Sequence, residues 1–342
     1  MRRPTIRDLA ARAGVSIATV NRVLAGATVV RPATRARVEA AAEAIGFYGL
    51  GAIRARNAAA RPRYRLGALL LQPHRRWYQL LARALGAAAS AVAEAELVVE
   101  VEHLVDLAPG HTAERALALA ERCDALCLVS AVHPLVSRAV ETIRERGKPV
   151  LAIVSPLGVT GETAYVGLDN WKVGRTAAWF FARLCPPGAK VALLMGNPRY
   201  RCQEMNEAGF RSYLREHGCA LRLLEPGLTY ESAAVAQELT EALLAEHPDL
   251  AGLYMAGGGI SGVLEALRIA GPGPGLVTLG YELMDNTREA LLDGRLTLVI
   301  SCPLGRLARE AVDVVLAALR DPSGTANRTR IVPFEIHTRE SI

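Results

Sequence analysis

The sequence predicts a small all-α headpiece followed by two α/β lobes, each built on a doubly wound parallel sheet. Three observations carry this prediction. The first 65 residues combine short helical patterns with a strong basic charge, and from residue 66 uncharged strand patterns alternate with helical ones. That alternation runs twice along the chain, whose 342 residues are enough for about two globular units and a smaller third. At 51 % hydrophobic residues, the chain can bury a sizeable core.

Three helices are expected in the first segment. Thr5 followed by Asp8 has the spacing of a capping box, and apolar residues then recur at helical intervals. Ser16 is placed to cap a second helix directly after a glycine. A third helix is expected to begin at Pro32 and to end at Gly46, because proline fits the first helical position and glycine the position after the last.

The expected domain limits follow from changes in composition. Residues 1–48 form the headpiece, and residues 49–65 are rich in small residues and arginine without an apolar face, so they are expected to be a linker with a helix at 52–60. Residues 66–342 then form the two lobes, whose chain is expected to cross between them three times. The expected limits are 66–163 with 302–325 for the first lobe, and 164–301 with 326–342 for the second, which ends in a strand at 331–336.

Charge separates the headpiece from the rest of the chain. Residues 1–65 hold 13 arginines against Asp8, Glu39 and Glu43, a net charge of +10, whereas residues 66–342 carry −4. A basic head on a mildly acidic body suggests that the head meets a polyanion, although a merely solvated arginine-rich face remains an alternative.

The expected location of the protein is the cytoplasm. Six cysteines are scattered without the density of a disulfide framework, so free thiols are expected, and no spacing of cysteine and histidine predicts a metal site. The first residues do not lead into an apolar signal-peptide run, and no stretch has the length of a membrane span. No membrane contact is expected.

The segment AARAGVSIATVNRVLAG, residues 10–26, is the strongest motif. Two helices joined at a tight glycine turn within a basic head are typical of a helix-turn-helix, although a purely structural three-helix unit has the same pattern. Helical spacing predicts an outward face, suited to base edges, and an N-terminal turn, suited to phosphates. The outward face holds Ile17, Ala18, Asn21 and Arg22, and the first turn holds Ser16 and Thr19.

With the following RPATRARVEAAAEAIGF, residues 31–47, this segment resembles the headpiece of the LacI/GalR family of bacterial transcriptional repressors. The two-lobed remainder resembles that family's periplasmic-binding-protein-like effector domain. The resemblance implies a homodimer that binds a palindromic operator in double-stranded DNA, with a small molecule in the cleft that changes operator affinity. It places Ile17 and Ala18 at the base-reading pair and Arg22 at a family arginine, with Asn21 replacing a more usual serine. Thr5 joins the expected DNA-binding set.

The linker departs from the family pattern. Arg54 fits the arginine of the family's hinge helix, but no leucine stands where the family inserts one into the minor groove. Either Ile53 substitutes for that leucine, or the protein bends DNA less than its family usually does.

The resemblance also implies an effector site. Trp77 and Tyr78 stand where the family presents an aromatic residue, and the stretch VGLDN at 166–170 provides Asp169, which could equally be a helix cap. The remaining positions are Asn206, Gly258, Gly259 and Glu282, two of which replace usual hydroxyl-binding residues. A small polar, carbohydrate-like effector is expected.

Two alternatives from other classes remain. Residues 257–262 satisfy G-x-G-x-x-G after a strand, with Glu282 about 20 residues further on, as in an NAD(P)-dependent oxidoreductase. Too few strands follow to complete a dinucleotide fold, so neither a cofactor nor an enzyme is expected. The other alternative is a ligand-binding protein without operator binding. No catalytic elbow, Walker motif or metal-binding histidine spacing is found in the sequence.

Overall fold

The computed structural model describes residues 3–27, 30–59, 61–158, 163–271, 275–321 and 329–342. The chain divides into two compact units, Met1–Tyr64 with Ser90–Val98, and Arg65–Ala89 with Val99–Ile342. Within the described residues, no helix is both long enough and apolar enough to cross a membrane. All six cysteines are free thiols.

The first unit contains the three expected headpiece helices and a fourth, which was expected within the linker at 52–60. They are α1 (Ile6–Ala13), α2 (Ile17–Ala25), α3 (Pro32–Ala44) and α4 (Leu50–Ala59). The predicted capping box of α1 is confirmed, since the Asp8 amide donates to the Thr5 hydroxyl and the Thr5 amide donates to the Asp8 carboxylate at 2.8 Å. The Ser16 hydroxyl likewise accepts from the Thr19 amide at 3.1 Å and caps α2.

Helix α4 corrects the expectation of a linker without an apolar face. Ile53 is 0 % exposed and belongs to the same core as Leu9, Val20 and Val38, while Leu50 packs against that core. The spacing of three residues puts Leu50 and Ile53 on one side of the helix. Residues 50–59 therefore form a fourth helix of the headpiece. The last residue of the expected helix, Ala60, lies outside the described residues.

The first lobe of the second unit is a six-stranded sheet with the order β12-β5-β4-β3-β1-β2. Its strands are β1 (Arg63–Leu71), β2 (Glu96–Leu104), β3 (Ala125–Leu128), β4 (Val150–Ile153), β5 (Ala164–Gly167) and β12 (Arg330–Ile331). Its helices are α5 (Arg76–Ser90), α6 (Pro109–Arg122), α7 (Pro134–Glu145) and α13 (Leu304–Arg320). Strands β3 and β4 are buried along their whole length, as expected for a parallel sheet covered on both faces.

The second lobe has a seven-stranded sheet with the order β13-β11-β10-β9-β6-β7, and β8 also pairs with β6. Its strands are β6 (Lys190–Met195), β7 (Arg222–Leu223), β8 (Gly227–Leu228), β9 (Leu250–Met255), β10 (Val277–Tyr281), β11 (Leu298–Ser301) and β13 (Glu335–His337). Its helices are α8 (Asn170–Leu184), α9 (Arg201–Glu216), α10 (Ala233–Glu246), α11 (Ile260–Ala270) and α12 (Asp285–Leu292), with a short 3-10 helix at Arg339–Ser341. The last strand, β13, runs antiparallel to β11.

The expected lobe limits need correction at two strands. Residues 164–167 form β5, which pairs with β4, and residues 330–331 form β12, which pairs with β5. Both strands belong to the first lobe, although the expected division assigned them to the second. The expected limit between residues 325 and 326 lies outside the described residues.

The expected terminal strand at 331–336 is in fact two strands in different sheets. Strand β12 ends at Ile331 in the first lobe, and β13 begins at Glu335 in the second. Pro333 lies between them and has no N–H to donate to a ladder, which favours the end of pairing there. The segment therefore crosses from one lobe to the other.

Helices α8 and α9 approach each other closely through glycines. A side chain at Gly174 would overlap the carbonyl oxygen of Asn206, and one at Gly209 would overlap the carbonyl oxygen of Trp171. Because both obstacles are backbone atoms, the two positions require glycine. This contact fixes the position of Asn206 on α9.

Candidate functional site

The exposed face of α2 carries the residues predicted to read DNA. Ile17 is 45 % exposed, Ala18, Asn21 and Arg22 are exposed, and Val20 and Val23 are buried. The structure therefore brings the four predicted residues to one outward face, as helical spacing requires. The hydroxyls of Ser16 and Thr19 lie 2.9 Å apart at the N-terminus of the same helix. Backbone N–H groups at a helix N-terminus and hydroxyl O–H groups can both donate hydrogen bonds to a phosphate.

Ile53 and Arg54, the two hinge residues that the resemblance assigns to DNA binding, both contact the rest of the headpiece in the structure. Ile53 is fully buried in the headpiece core, so it is not presented as a substitute for the wedge leucine. Arg54 forms ion pairs with Glu43 at 2.6 Å and Glu39 at 3.4 Å on α3. Its neighbour Asn57 donates to Glu39 at 2.8 Å. These contacts hold α4 against α3, and the carboxylates of Glu43 and Glu39 raise the pKa of Arg54.

A cavity of about 450 Å³ lies between the two lobes of the second unit, within the size range of small-molecule sites. It is found beyond the carboxyl ends of β1, β4, β9 and β10, where open α/β sheets place their ligands. Most of the predicted effector residues line it together. They are Trp77, Tyr78, Asn206, Gly258, Gly259 and Glu282.

Asp169 does not line this cavity, and its predicted role as an effector ligand is not supported. Its carboxylate accepts from the Lys172 amide at 3.1 Å and forms an ion pair with the Lys172 ammonium at 3.3 Å. It therefore caps helix α8, the alternative that the sequence left open. The neighbouring Asn170 lines the cavity instead.

The side chains that cross between the lobes were not predicted. Arg75, in the loop after β1, donates to the Glu231 carboxylate of the second lobe at 2.5 Å. The other oxygen of Glu231 accepts from Gln203 at 2.7 Å, and Gln203 in turn accepts from the Gly196 amide at 2.6 Å. Since Arg75 and Glu231 are 156 residues apart, no local pattern could have paired them.

The glycines in residues 257–262, which contain the G-x-G-x-x-G motif, allow close packing. A side chain at Gly257 would overlap Gln203 and the Gly196 amide, and one at Gly258 would overlap Glu231 and Arg75. Gly262 allows α11 to approach the backbone of α10 at Ala233. Gly259 has a φ of +107°, a backbone conformation that favours glycine. The interlobe network, the helix packing and this backbone conformation explain the glycines of residues 257–262 without a bound dinucleotide.

Positive backbone φ angles cluster at the strand ends beside the cavity. Val154 has φ +69°, Glu231 +63° and Glu282 +70°, and all three line the cavity. Such angles are unfavourable for residues with a side chain, above all for a β-branched one. Strain of this kind persists where the surrounding structure enforces it, and it tends to cluster at binding sites.

Aromatic and amide groups complete the lining. The rings of Trp77 and Tyr78 meet edge to face with centroids 5.0 Å apart. The side-chain oxygen of Asn206 accepts a hydrogen bond from the Tyr254 hydroxyl at 2.8 Å. The N–H groups of the same amide can therefore donate hydrogen bonds to a ligand. The Asn170 amide oxygen lies 3.4 Å from the Tyr281 hydroxyl. The cavity thus combines apolar ring faces with hydrogen-bond donors and acceptors.

Glu282 is a carboxyl group of the cavity lining whose pKa is raised. Burial raises its pKa from 4.5 to about 7, although the Cys302 amide, which donates to it at 3.0 Å, and the Trp77 side chain oppose that rise. Near neutral pH the carboxyl group therefore exists in both forms and can donate or accept a hydrogen bond.

The raised pKa predicts a pH-dependent stability. Because the folded protein binds this proton more tightly than the unfolded chain, the contribution of Glu282 to stability is fully present below pH 4.5 and is lost as the pH rises through 7. The contribution is about 3 kcal/mol at most. We expect the free energy of unfolding, measured with denaturant, to fall less between pH 5 and pH 8 in Glu282→Gln than in the unmodified protein. An equal difference in both proteins would contradict the assignment.

Two family models match the chain. Residues 5–49 match the model described as bacterial regulatory proteins, lacI family, and residues 76–323 match the periplasmic binding protein domain. Among curated proteins, the ribose import binding protein RbsB of Bacillus subtilis (strain 168) is 27 % identical over 225 residues, which cover 64 % of this chain and 69 % of the relative.

Solved structures share the fold of about four fifths of this chain at low sequence identity. An ABC transporter solute binding protein from Agrobacterium vitis with bound D-fucose is 18 % identical, with a TM-score of 0.72 over 81 % of this chain and 96 % of that one. The glucose-galactose binding protein GanP from Geobacillus stearothermophilus is 16 % identical, with a TM-score of 0.72 over 82 % and 99 % of the respective chains.

Proposed function

The chain belongs to the lacI family of bacterial regulatory proteins and carries its periplasmic-binding-protein domain, and from this premise we propose its regulatory mode. It is a cytoplasmic transcriptional repressor that binds a palindromic operator as a homodimer. A small sugar bound between the lobes controls that binding.

The exposed face of α2 supports the DNA-binding part of the proposal. Arg22 has the donor geometry that reads guanine in the major groove, and Ile17 and Ala18 offer apolar contact to a thymine methyl group. The headpiece and α4 lie within a segment of net charge +10, which suits contact with phosphates. A homodimer would present two such faces to the two half-sites of a palindrome.

The interlobe cavity is the observation that carries the sugar proposal. Aromatic rings suit the apolar faces of a sugar, and carboxylate and amide groups suit its hydroxyls, and both kinds of side chain line one cavity. The similar proteins named above are a ribose import binding protein, a solute binding protein with bound D-fucose and a glucose-galactose binding protein. These ligands support a monosaccharide as the effector of this chain.

A sugar can regulate operator binding only by preferring one arrangement of the lobes. A 100-fold change in operator affinity requires about 2.7 kcal/mol of such preference. Residues from both lobes line the cavity, so a ligand there contacts the two sides at once. Closure of the lobes around the sugar is the arrangement that the proposal requires.

Titration of the full-length protein against operator candidates tests the proposal. Specific binding should weaken steeply with salt, with a log–log slope of about −5 or steeper if a dimer neutralises about six phosphates. One monosaccharide should shift the operator affinity at least tenfold. The Arg22→Ala substitution should weaken the binding free energy for the specific site by about 1–3 kcal/mol and change that for random DNA little.

Three outcomes would count against parts of the proposal. If DNA affinity does not depend on salt concentration, contacts with phosphates do not drive DNA binding. If Arg22→Ala lowers the affinity for specific and random DNA equally, Arg22 contacts only phosphates. Sugar binding without any operator binding would leave a ligand-binding protein, the alternative that the sequence kept open.

A further inference from the structure

Each arginine in the described lining of the interlobe cavity is paired with a carboxylate. Within the described residues, the arginines that line it are Arg75 and Arg76, and each has a carboxylate partner in the other lobe. Arg75 pairs with Glu231 at 2.5 Å, and Arg76 pairs with Asp285 at 3.7 Å. Each arginine thus has a carboxylate beside it, but the Arg76–Asp285 pair is exposed to solvent, and only the Arg75–Glu231 pair is buried.

The inner pair is fixed and largely removed from water. The side chains of Glu231 and Arg75 are only 5 % and 21 % exposed. Gln203 donates to the second oxygen of Glu231 at 2.7 Å, and the absence of a side chain at Gly258 provides the space for both partners. Buried charges interact strongly at this separation, because little solvent screens them. An anionic ligand would have to break this pair or approach a buried carboxylate.

A neutral ligand meets neither obstacle. The Arg75 guanidinium has five N–H donors, and the pair with Glu231 leaves others for a hydroxyl oxygen. The carboxylates of Glu231 and Glu282 can accept hydrogen bonds from hydroxyl groups. A polyhydroxy ligand can therefore bind beside the intact pair.

We propose that the Arg75–Glu231 pair is a charge filter, which admits neutral sugars to the cavity and rejects sugar acids and sugar phosphates. This inference rests on the proposed sugar-responsive function and narrows its ligand class. Arg75 and Glu231 are then specificity-determining residues, although neither could be assigned from the sequence.

Paired neutral and anionic probes test the filter in the full-length protein. Calorimetry would measure the affinity for ribose, galactose, glucose and fucose, and for ribose 5-phosphate, glucose 6-phosphate, galacturonate and glucuronate. The unmodified protein should bind its best neutral sugar at least 100-fold more tightly than the anionic derivative of that sugar. Glu231→Gln, which has nearly the same shape, should narrow this ratio at least tenfold by improving affinity for the anion.

Two further variants separate the filter from general charge effects. Glu238→Gln makes the same charge change on the exposed surface of α10, outside the cavity lining, and should keep the unmodified ratio. Arg75→Gln should weaken neutral binding without improving anion binding, because it removes the donor and leaves the carboxylate.

The outcomes distinguish the inference from the function on which it rests. If no sugar of either class binds, the proposed sugar response is wrong and the filter with it. If the unmodified protein binds an anionic sugar as tightly as its neutral parent, the filter alone is wrong and the sugar response stands. The filter is also wrong if Glu231→Gln folds and keeps the same ratio of neutral to anionic sugar affinity. If this variant does not fold, the affinity ratio of the unmodified protein decides whether the filter exists.

Discussion

Replacing Gly258 with valine is expected to lower the affinity for the sugar effector at least 100-fold, which corresponds to about 2.7 kcal/mol. A side chain at this position would overlap the Glu231 carboxylate and the Arg75 guanidinium. Both obstacles are the ends of flexible side chains, so the backbone need not move and the protein should still fold. The interlobe pair would be broken and the cavity partly filled. Calorimetry with the best sugar of the unmodified protein measures the loss, and operator binding without sugar should remain.

Gly110→Val is the matched control for this prediction. Gly110 is an exposed residue of α6, and a side chain there would meet no atom within 4 Å. It should therefore leave sugar affinity within twofold of the unmodified value. Normal sugar binding by Gly258→Val would show that the Arg75–Glu231 pair does not shape the ligand site.

Replacing Ile53 with alanine is expected to destabilise the headpiece by about 2–5 kcal/mol, the range for removing a large buried aliphatic side chain. Ile53 is 0 % exposed and connects α4 to the core that α1, α2 and α3 share. A small helical unit has few other contacts to compensate, so α4 should detach and operator affinity should fall. Hydrogen exchange of the headpiece amides in the full-length protein measures the effect directly, because it reports on this unit alone.

Ile17→Ala makes the same chemical change on an exposed face. Ile17 is 45 % exposed, so its loss should alter stability by no more than about 0.5 kcal/mol while it weakens specific DNA binding. The two variants thus separate a core role from a DNA-reading role. Unchanged amide protection in Ile53→Ala would mean that Ile53 is not a core residue, and would return it to the wedge role that the family resemblance implies.

The placement of α4 bears on how the headpiece meets DNA. Arg54 is 48 % exposed, and an exposed ion pair contributes little to stability. Exchange of Glu39 and Glu43 for a phosphate is therefore energetically accessible to Arg54. Exposure of Ile53 would instead open a packed core, which is far more costly. The two adjacent hinge residues thus differ sharply in how readily they could reach DNA.

The sequence alone determined the headpiece helices and their outward face. Thr5 with Asp8, and Ser16 with Thr19, are cap contacts three residues apart, and the alternation of Val20 and Val23 with Ile17 and Arg22 repeats within one helix. Such signals act over one or two turns, so a local pattern contains them completely. The alternating strands and helices of the lobes follow from the same short-range regularity.

The tertiary structure decided which residues meet. Asp169 follows a strand as a ligand residue would, yet it caps α8, whereas Arg75 and Glu231 meet across the cleft at 2.5 Å from opposite lobes. Ile53 lies in a segment that looks like a linker, and only its docking against distant helices makes it a core residue. Local patterns fix backbone conformation through short-range sterics and hydrogen bonds. Contacts between residues far apart in the chain depend on how whole sheets and helices pack, and no spacing in the sequence records that packing.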